Sequence, residues 1–399
     1  MRPHEIDLTA PRTFVDHDFF ELWRVFRTES PVHWQEATSE GPGFWSLFRY
    51  EDVLAVYRDS ERFTSERGNV LSTLLRGGDS AAGKMLAVTD GARHREIRNL
   101  MLKSFSPRAM AHAAERVRVR TARLLAEVAG IGEFDFAAGV SEKIPLETIC
   151  ELMDVPEADR SSLQGWNKLT LSFDSDEQSH ERALVARNEI LLYFADLADE
   201  RRRKPGDDVI SALANGLVGG TRLGDDEVVL NCYSLILGGE ESSRVAATGT
   251  VAALGEHPDQ WKSLRDGDVG VDSAVEEALR WTTPGMHFGR RALVDVPLGE
   301  HVIAAGDVVA LWNSAANLDE RQFPEPTRFD VSRDPNKHLA FGYGPHFCIG
   351  AFLGRAGLRA LLLGLRETVT DIDLGGPGHP ILSNLVRGYD SLPVSLTAK

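Results

Sequence analysis

The sequence predicts a mainly α-helical fold with a minor β part. A segment opening VVLNCYSLIL and closing VAATGTVAALGEHP reads as one helix of about thirty residues, far beyond the roughly 11–12 of an average helix. Amphipathic helical periodicity recurs through most of residues 90–204. Alternating, strand-like patterns are confined to stretches near the two ends of the chain.

Taken in order, DHDFFELWRVFRTES at 16–30 alternates apolar and charged residues at helical spacing. PVHW and GFWSLFRY follow as two short strands, the second rich in aromatics. EDVLAVYRDSERF returns to a helical pattern. Residues 67–88 are interrupted by glycine and serine and read as a loop with a short helix, the kind of segment that borders binding sites. From Asp90 to about Gln178 the pattern is helical, with breaks expected at Pro145, Pro156 and the glycines near 130. A further helix over 183–204 ends in RRRK. The long helix opens with Asp225 or Asp226 as its cap and Glu227 in its first turn, where the helix dipole favours an acid. Asp272 to Trp281 is a short helix. Residues 288–313 alternate as strands and turns, 317–350 are irregular, 350 to about 366 are helical, and 380–397 read as strands.

The chain has 399 residues, of which 42% are hydrophobic and 26% charged, a globular composition without linker or repeat. One domain over 1–399 is expected. The formal charge of −16 argues against non-specific nucleic-acid binding, which needs a basic face. Three cysteines, Cys150, Cys232 and Cys348, form no C-x-x-C pair, so a disulfide framework or cysteine-rich zinc site is not expected. MRPHEIDLTAPRTF lacks the apolar core of a signal peptide, and no stretch reaches the ~20 apolar residues of a membrane span. The expected location is the cytoplasm, with no membrane partner.

The long helix carries an anomaly, LILGGEESSR at 235–244. Each mid-helix glycine costs about 1 kcal/mol against alanine, and a buried carboxylate costs more unless paired. Something has to offset those penalties.

The most informative stretch is HLAFGYGPHFCIGA at 338–351. Gly342, Gly344 and Gly350 bracket Cys348, and glycine lets the backbone pass close to a flat ligand. A helix beginning after Cys348 aims free amides at the sulfur, which favours thiolate. Three readings compete for this cysteine. It is a buried cysteine in a turn; a nucleophile with His346 as base; or a thiolate ligand to haem iron. The last explains the glycines and Phe341, whose ring can cover the sulfur.

F-G-x-G-x-H-x-C-x-G, Phe341 to Gly350, resembles the haem-binding signature of the cytochrome P450 monooxygenases at every pattern position. The resemblance extends to E-x-x-R at Glu277 and Arg280, to Arg328 in FPEPTRFD, to H-x-x-x-R at His94 and Arg98, and to Arg290 in the strand after E-x-x-R. It implies the family's fold, with a long helix over a haem b cofactor, and Cys348 as the metal ligand. His94, Arg98, Arg290 and His346 would meet the two propionates, with Arg291 outside by strand parity. Glu277, Arg280 and Arg328 would form a buried network behind the cysteine loop.

The resemblance also answers the anomaly. Gly238 to Ser242 is similar to the family's A/G-G-x-D/E-T, which leaves room above the metal. Glu241 would relay protons and Ser242 would donate a hydrogen bond to bound oxygen, with Ser243 as the alternative hydroxyl in a shifted register. Serine replaces the usual threonine and lacks the methyl that stiffens χ1, so its hydroxyl can turn to the backbone. Another departure is Gly357, where relatives often carry an acid. The implied pocket residues are Leu86, Val88, Leu237, Gly238, Met286, Phe288, Leu385 and Val386, with His287 and Arg387 as polar contacts.

The expected activity is oxidation of a small organic molecule, by dioxygen and two electrons, in secondary-metabolite tailoring. The electrons would come from a separate ferredoxin docking near Lys103 and Arg355. Two alternatives stand beside hydroxylation. One is oxidative coupling, or another non-hydroxylating oxidation, of an aromatic or carrier-protein-tethered substrate. The other is a haem-thiolate sensor, which the Gly-Gly-Glu-Glu-Ser-Ser stretch disfavours. A cysteine-dependent transferase or hydrolase would bind no haem.

Overall fold

The computed structural model describes residues 1–170 and 177–399 and is mostly helical, with short strands toward both ends of the chain. The predicted helical run through Gln178 crosses 171–176, which lie outside the described residues.

The central helix runs Asp225–Glu256, and seventeen of its side chains are buried. Its cap differs from the prediction. Gly224 is the capping residue, and its amide donates to Glu227 Oε2 at 2.8 Å, while Asp225 already lies in the first turn. The other predicted helices include Phe19–Glu29, Tyr50–Arg58, Gly91–Ser104, Pro107–Val128, Glu177–Arg203 and Val271–Thr282. Pro145 marks a helix boundary, as expected. It opens Pro145–Leu152, where a missing N–H is harmless.

A five-stranded sheet joins the two ends of the chain. Its strands are β1 (Val32–Gln35), β2 (Phe44–Leu47), β3 (Phe63–Thr64), β4 (Phe288–Ala292) and β5 (Val308–Leu311). The spatial order is β1-β2-β5-β4-β3, antiparallel except where β5 runs parallel to β2. A second sheet sets Pro393–Ala398 between Val369–Leu374 and Glu133–Asp135, two strands the sequence pattern did not suggest.

After the cysteine loop, Ala351–Thr368 packs along Pro107–Val128. Gly364 makes that approach close, since a Cβ there would stand 2.6 Å from Leu125 Cδ1. The cysteine loop is thereby fixed below the central helix, and β4 feeds in from the side.

Candidate active site

The cysteine loop is built by two left-handed glycines, Gly342 at φ +66° and Gly344 at φ +73°. At Gly344 any side chain would also collide with backbone, because its Cβ would lie 2.6 Å from Tyr57 O. Cys348 N–H donates to Phe341 O at 3.0 Å, which closes the loop. Gly350 has an ordinary φ of −87° and precedes the helix.

Cys348 opens into a cavity of about 340 Å³. Burial by surrounding protein pushes its thiol up, and the Gly350 amide, Arg98 and Arg355 oppose that shift without overcoming it. The amide at the helix start acts in the expected direction, and burial outweighs it.

One side of the cavity is lined by basic side chains. His94, Arg98, Arg290 and His346 all line it, although 252 positions separate the first from the last. His94 is buried, and its Nε2 has no hydrogen-bond partner among the described residues. Burial, with His346 and Arg98 close by, pushes it down to about 4. Arg290 is buried and hydrogen-bonds only the adjacent Gly289 O, at 2.7 Å, among the described residues. No carboxylate of the described residues lies within ion-pair distance of Arg98 or Arg290. Arg291 does not line the cavity, as strand parity predicted.

The sequence reading missed Asp90. His346 Nε2 lies 2.7 Å from Asp90 Oδ1, and the same carboxylate accepts from Thr64 Oγ1 and Ser65 N. These partners hold Asp90 well below the usual carboxylate range despite burial. Asp90 occupies a helix-cap position, which hid its role, and its side chain makes no cap hydrogen bond. Arg98 and Arg290 without a carboxylate partner among the described residues, beside the unpaired His94 ring nitrogen, fit a ligand carrying more than one anionic group.

The opposite wall is Leu235, Gly238, Gly239, Ser242, Ser243 and Ala246 of the central helix. Ser242 Oγ donates to Gly238 O at 2.9 Å, the backbone-facing rotamer anticipated for a serine lacking the threonine methyl. Glu241 does not line the cavity. Arg244 holds it with Nε–Oε2 at 2.8 Å and Nη2–Oε1 at 2.6 Å, both residues buried. Glu240 is also buried, and Asn167 Nδ2 donates to its Oε2.

Among the predicted pocket residues, Leu86, Gly238 and Phe288 line the cavity. Val88, Leu237, Met286, Leu385 and Val386 do not, which corrects those expectations. Leu237 turns away because adjacent helical residues diverge by about 100°. Val88 is wholly buried in the one-turn helix Leu86–Val88. Met286 and Val386 border a separate cavity of about 280 Å³ across the central helix, and Leu385 pairs its carbonyl with Met286 N. His287 is core, 4.5 Å from Trp312 between ring centroids. Arg387 lies 3.9 Å over the Phe19 ring. Asn231 and Leu235 were missed, yet with Gly238, Ser242 and Ala246 they form one stripe at helical spacing.

Glu277 and Arg280 are fully buried and bidentate, both contacts at 2.8 Å. Arg328 does not complete this network. Its guanidinium is exposed and, among the described residues, reaches only Glu325, at 3.4 Å. Arg333 takes the place instead, with Nε 3.1 Å from Glu277 Oε2. Arg355 is tied to Glu276 at 2.6 Å and lies 4.7 Å from the Phe341 ring centre, so it braces the loop, whereas Lys103 is exposed.

No helix of the described residues is long and apolar enough to cross a membrane. The cytochrome P450 family model matches residues 271–365, the span holding E-x-x-R and the cysteine loop. Cytochrome P450 NovI of Streptomyces niveus is 44% identical over 98% of this chain and 97% of its own. The steroid C26-monooxygenase of Mycobacterium bovis is 30% identical over 100% of this chain and 94% of its own. Among solved structures, P450 OxyD, involved in the biosynthesis of vancomycin-type antibiotics, superposes with a TM-score of 0.92 at 34% identity, over 99% of this chain and 100% of that one. Fold, motifs and relatives agree: the chain belongs to the cytochrome P450 family of haem-dependent monooxygenases.

Proposed function

We propose that residues 1–399 form a single haem-thiolate domain that binds haem b and oxidises a small organic molecule in secondary-metabolite tailoring. The carrying observation is convergence. Cys348, two arginines and two histidines from three distant segments, and the bare backbone of Gly238 and Gly239 all face one cavity. Cys348 would hold the iron. His94, Arg98, Arg290 and His346 would meet the carboxylates of the porphyrin, with Asp90 steadying His346. When bound, the cofactor supplies dioxygen activation and oxidising power. The protein's share is to position substrate and deliver protons.

Ser242, on the cavity wall, would be the hydroxyl nearest that chemistry. Glu241 would move protons only when its ion pair with Arg244 opens, since that pair holds it off the cavity lining. Leu86, Leu235, Ile149 and Phe288 give the substrate side an apolar character with few polar groups, the pattern of small-molecule sites. NovI and OxyD, one named in antibiotic biosynthesis, support the tailoring role. A separate ferredoxin would supply electrons one at a time in the cytoplasm.

Turnover under ¹⁸O₂ with a ferredoxin and its reductase tests the reaction. Label in the product supports oxygen insertion into a substrate. Product without label points instead to oxidative coupling, and product formed only from a carrier-protein thioester identifies a tethered substrate.

A further inference from the structure

We propose that Glu240, outside the acid–alcohol pair at 241 and 242, is a proton store for the cavity, held as a neutral acid in a cyclic hydrogen-bonded pair with Asn167. The inference rests on the monooxygenase reading and adds a residue to it.

Glu240 is buried on the central helix, 6% exposed. Its neighbour Glu241 engages Arg244 through both carboxylate oxygens, which leaves Glu240 without a cation of its own among the described residues. Its hydrogen-bond partner is the wholly buried Asn167, whose Nδ2 donates to Glu240 Oε2. Asn167 Oδ1 is also buried and has no donor among the described residues. A carboxylate at 240 cannot supply one, because ionised carboxylates only accept. A protonated Glu240 can. Its O–H donates to Asn167 Oδ1 while its other oxygen accepts from Nδ2, and both side chains are satisfied.

The surroundings favour the same state. Ser141–Lys143 brings Glu142, and the central helix brings Glu241, both like charges to Glu240. Pro145–Leu152 presents Cys150, a buried neutral thiol. The hydrogen bond from Asn167 Nδ2 and, after it, Arg244 favour the carboxylate. Burial dominates and pushes Glu240 up to about 7. Lys168, beside Asn167 on the same helix, lies 3.1 Å from Glu142 and is exposed, so a solvent-connected ion pair stands behind the buried acid. One helical turn onward from Glu240, Ser243 lines the cavity.

The transfer is a proton movement alone. Glu240 gives its proton to the Ser243 oxygen as that hydroxyl passes its own proton to an acceptor in the cavity, and Glu240 is left as a carboxylate accepting from Asn167 Nδ2. Solvent at the Glu142 side returns the proton. No bond between heavy atoms changes.

Glu240→Gln tests this, because glutamine keeps both hydrogen bonds to Asn167 and removes the acid. In the wild-type holoenzyme, infrared difference spectra should show a protonated carboxyl C=O band that titrates away as pH rises through about 7, and E240Q should lack it. Product formation by E240Q should fall by at least roughly tenfold, below the about 10²–10⁴ of a directly acting proton donor. The wild-type decline in rate as pH rises through neutrality should vanish in the variant, and Glu240→Asp should restore part of it. An unchanged infrared spectrum in E240Q, or wild-type rates and pH profile, overturns the proposal. If wild-type protein shows no haem-thiolate spectrum, the broader reading fails, while the infrared arm still reports on Glu240.

Discussion

Arg333 and Arg328 sit five positions apart in the same irregular loop, and only one should matter for stability. Arg333 makes four hydrogen bonds, to Glu277 Oε2 at 3.1 Å, Pro324 O at 2.7 Å, Glu325 O at 3.2 Å and Arg328 O at 3.0 Å. Breaking a buried ion pair by removing one partner costs about 3–5 kcal/mol. Glu277 would keep Arg280, Asn336 and the Asp330 amide after Arg333→Ala. The expected loss is therefore smaller, about 2–3 kcal/mol. At about 2.1 cal/mol/K of unfolding entropy per residue, that lowers the melting temperature by roughly 2–4 °C for a chain of this length. Arg328→Ala removes an exposed side chain with one 3.4 Å contact and should stay within about 0.5 kcal/mol, below 1 °C. Thermal melts of both variants and the parent, at one scan rate, read the difference. Equal losses, or a larger loss for Arg328→Ala, would refute the assignment of Arg333 to the network.

Two further outcomes follow from the geometry. Ser242→Thr should lower hydrogen peroxide released per electron consumed, because the methyl restricts the hydroxyl that in serine turns to Gly238 O; unchanged or increased peroxide counts against this. His287 should make the protein acid-sensitive. Burial pushes its ring from the usual 6.5 down to about 4, so the unfolded chain binds the extra proton and stability is full above about 6.5 and falls as pH drops toward 4, by up to about 3 kcal/mol. His287→Phe should flatten urea-melt stability over that window, and an unaltered slope there contradicts it.

The parts of this molecule that sequence exposes are those encoded locally. The long central helix declares itself by length, and the cysteine loop by glycines at positions where φ is positive. Glu277 and Arg280 meet because they are one turn apart on a helix. Loops carry no such periodicity, so nothing in FPEPTRFDVSR indicates that the second arginine folds back while the first faces solvent. The pocket shows the same division. Gly238 and Ser242 follow from helical spacing, but Met286 and Val386 face the other cavity because of a bridge between Gly285 and Val386 that links segments about a hundred residues apart. The paired acids are the sharpest case. Arg244, three residues after Glu241, was a visible sign that Glu241 is held, whereas the partner of Glu240 lies 73 residues upstream and needed the fold to reveal it.

The most direct test of the central claim is the absorption spectrum of the dithionite-reduced, haem-reconstituted protein under carbon monoxide. Sulfur ligation from Cys348 should move the Soret band strongly to the red, and Cys348→His, folded and haem-loaded, should lose that shift. A haem-loaded wild-type protein whose band stays where nitrogen-ligated haem absorbs, or a Cys348→His variant that keeps the red-shifted band, would contradict the account.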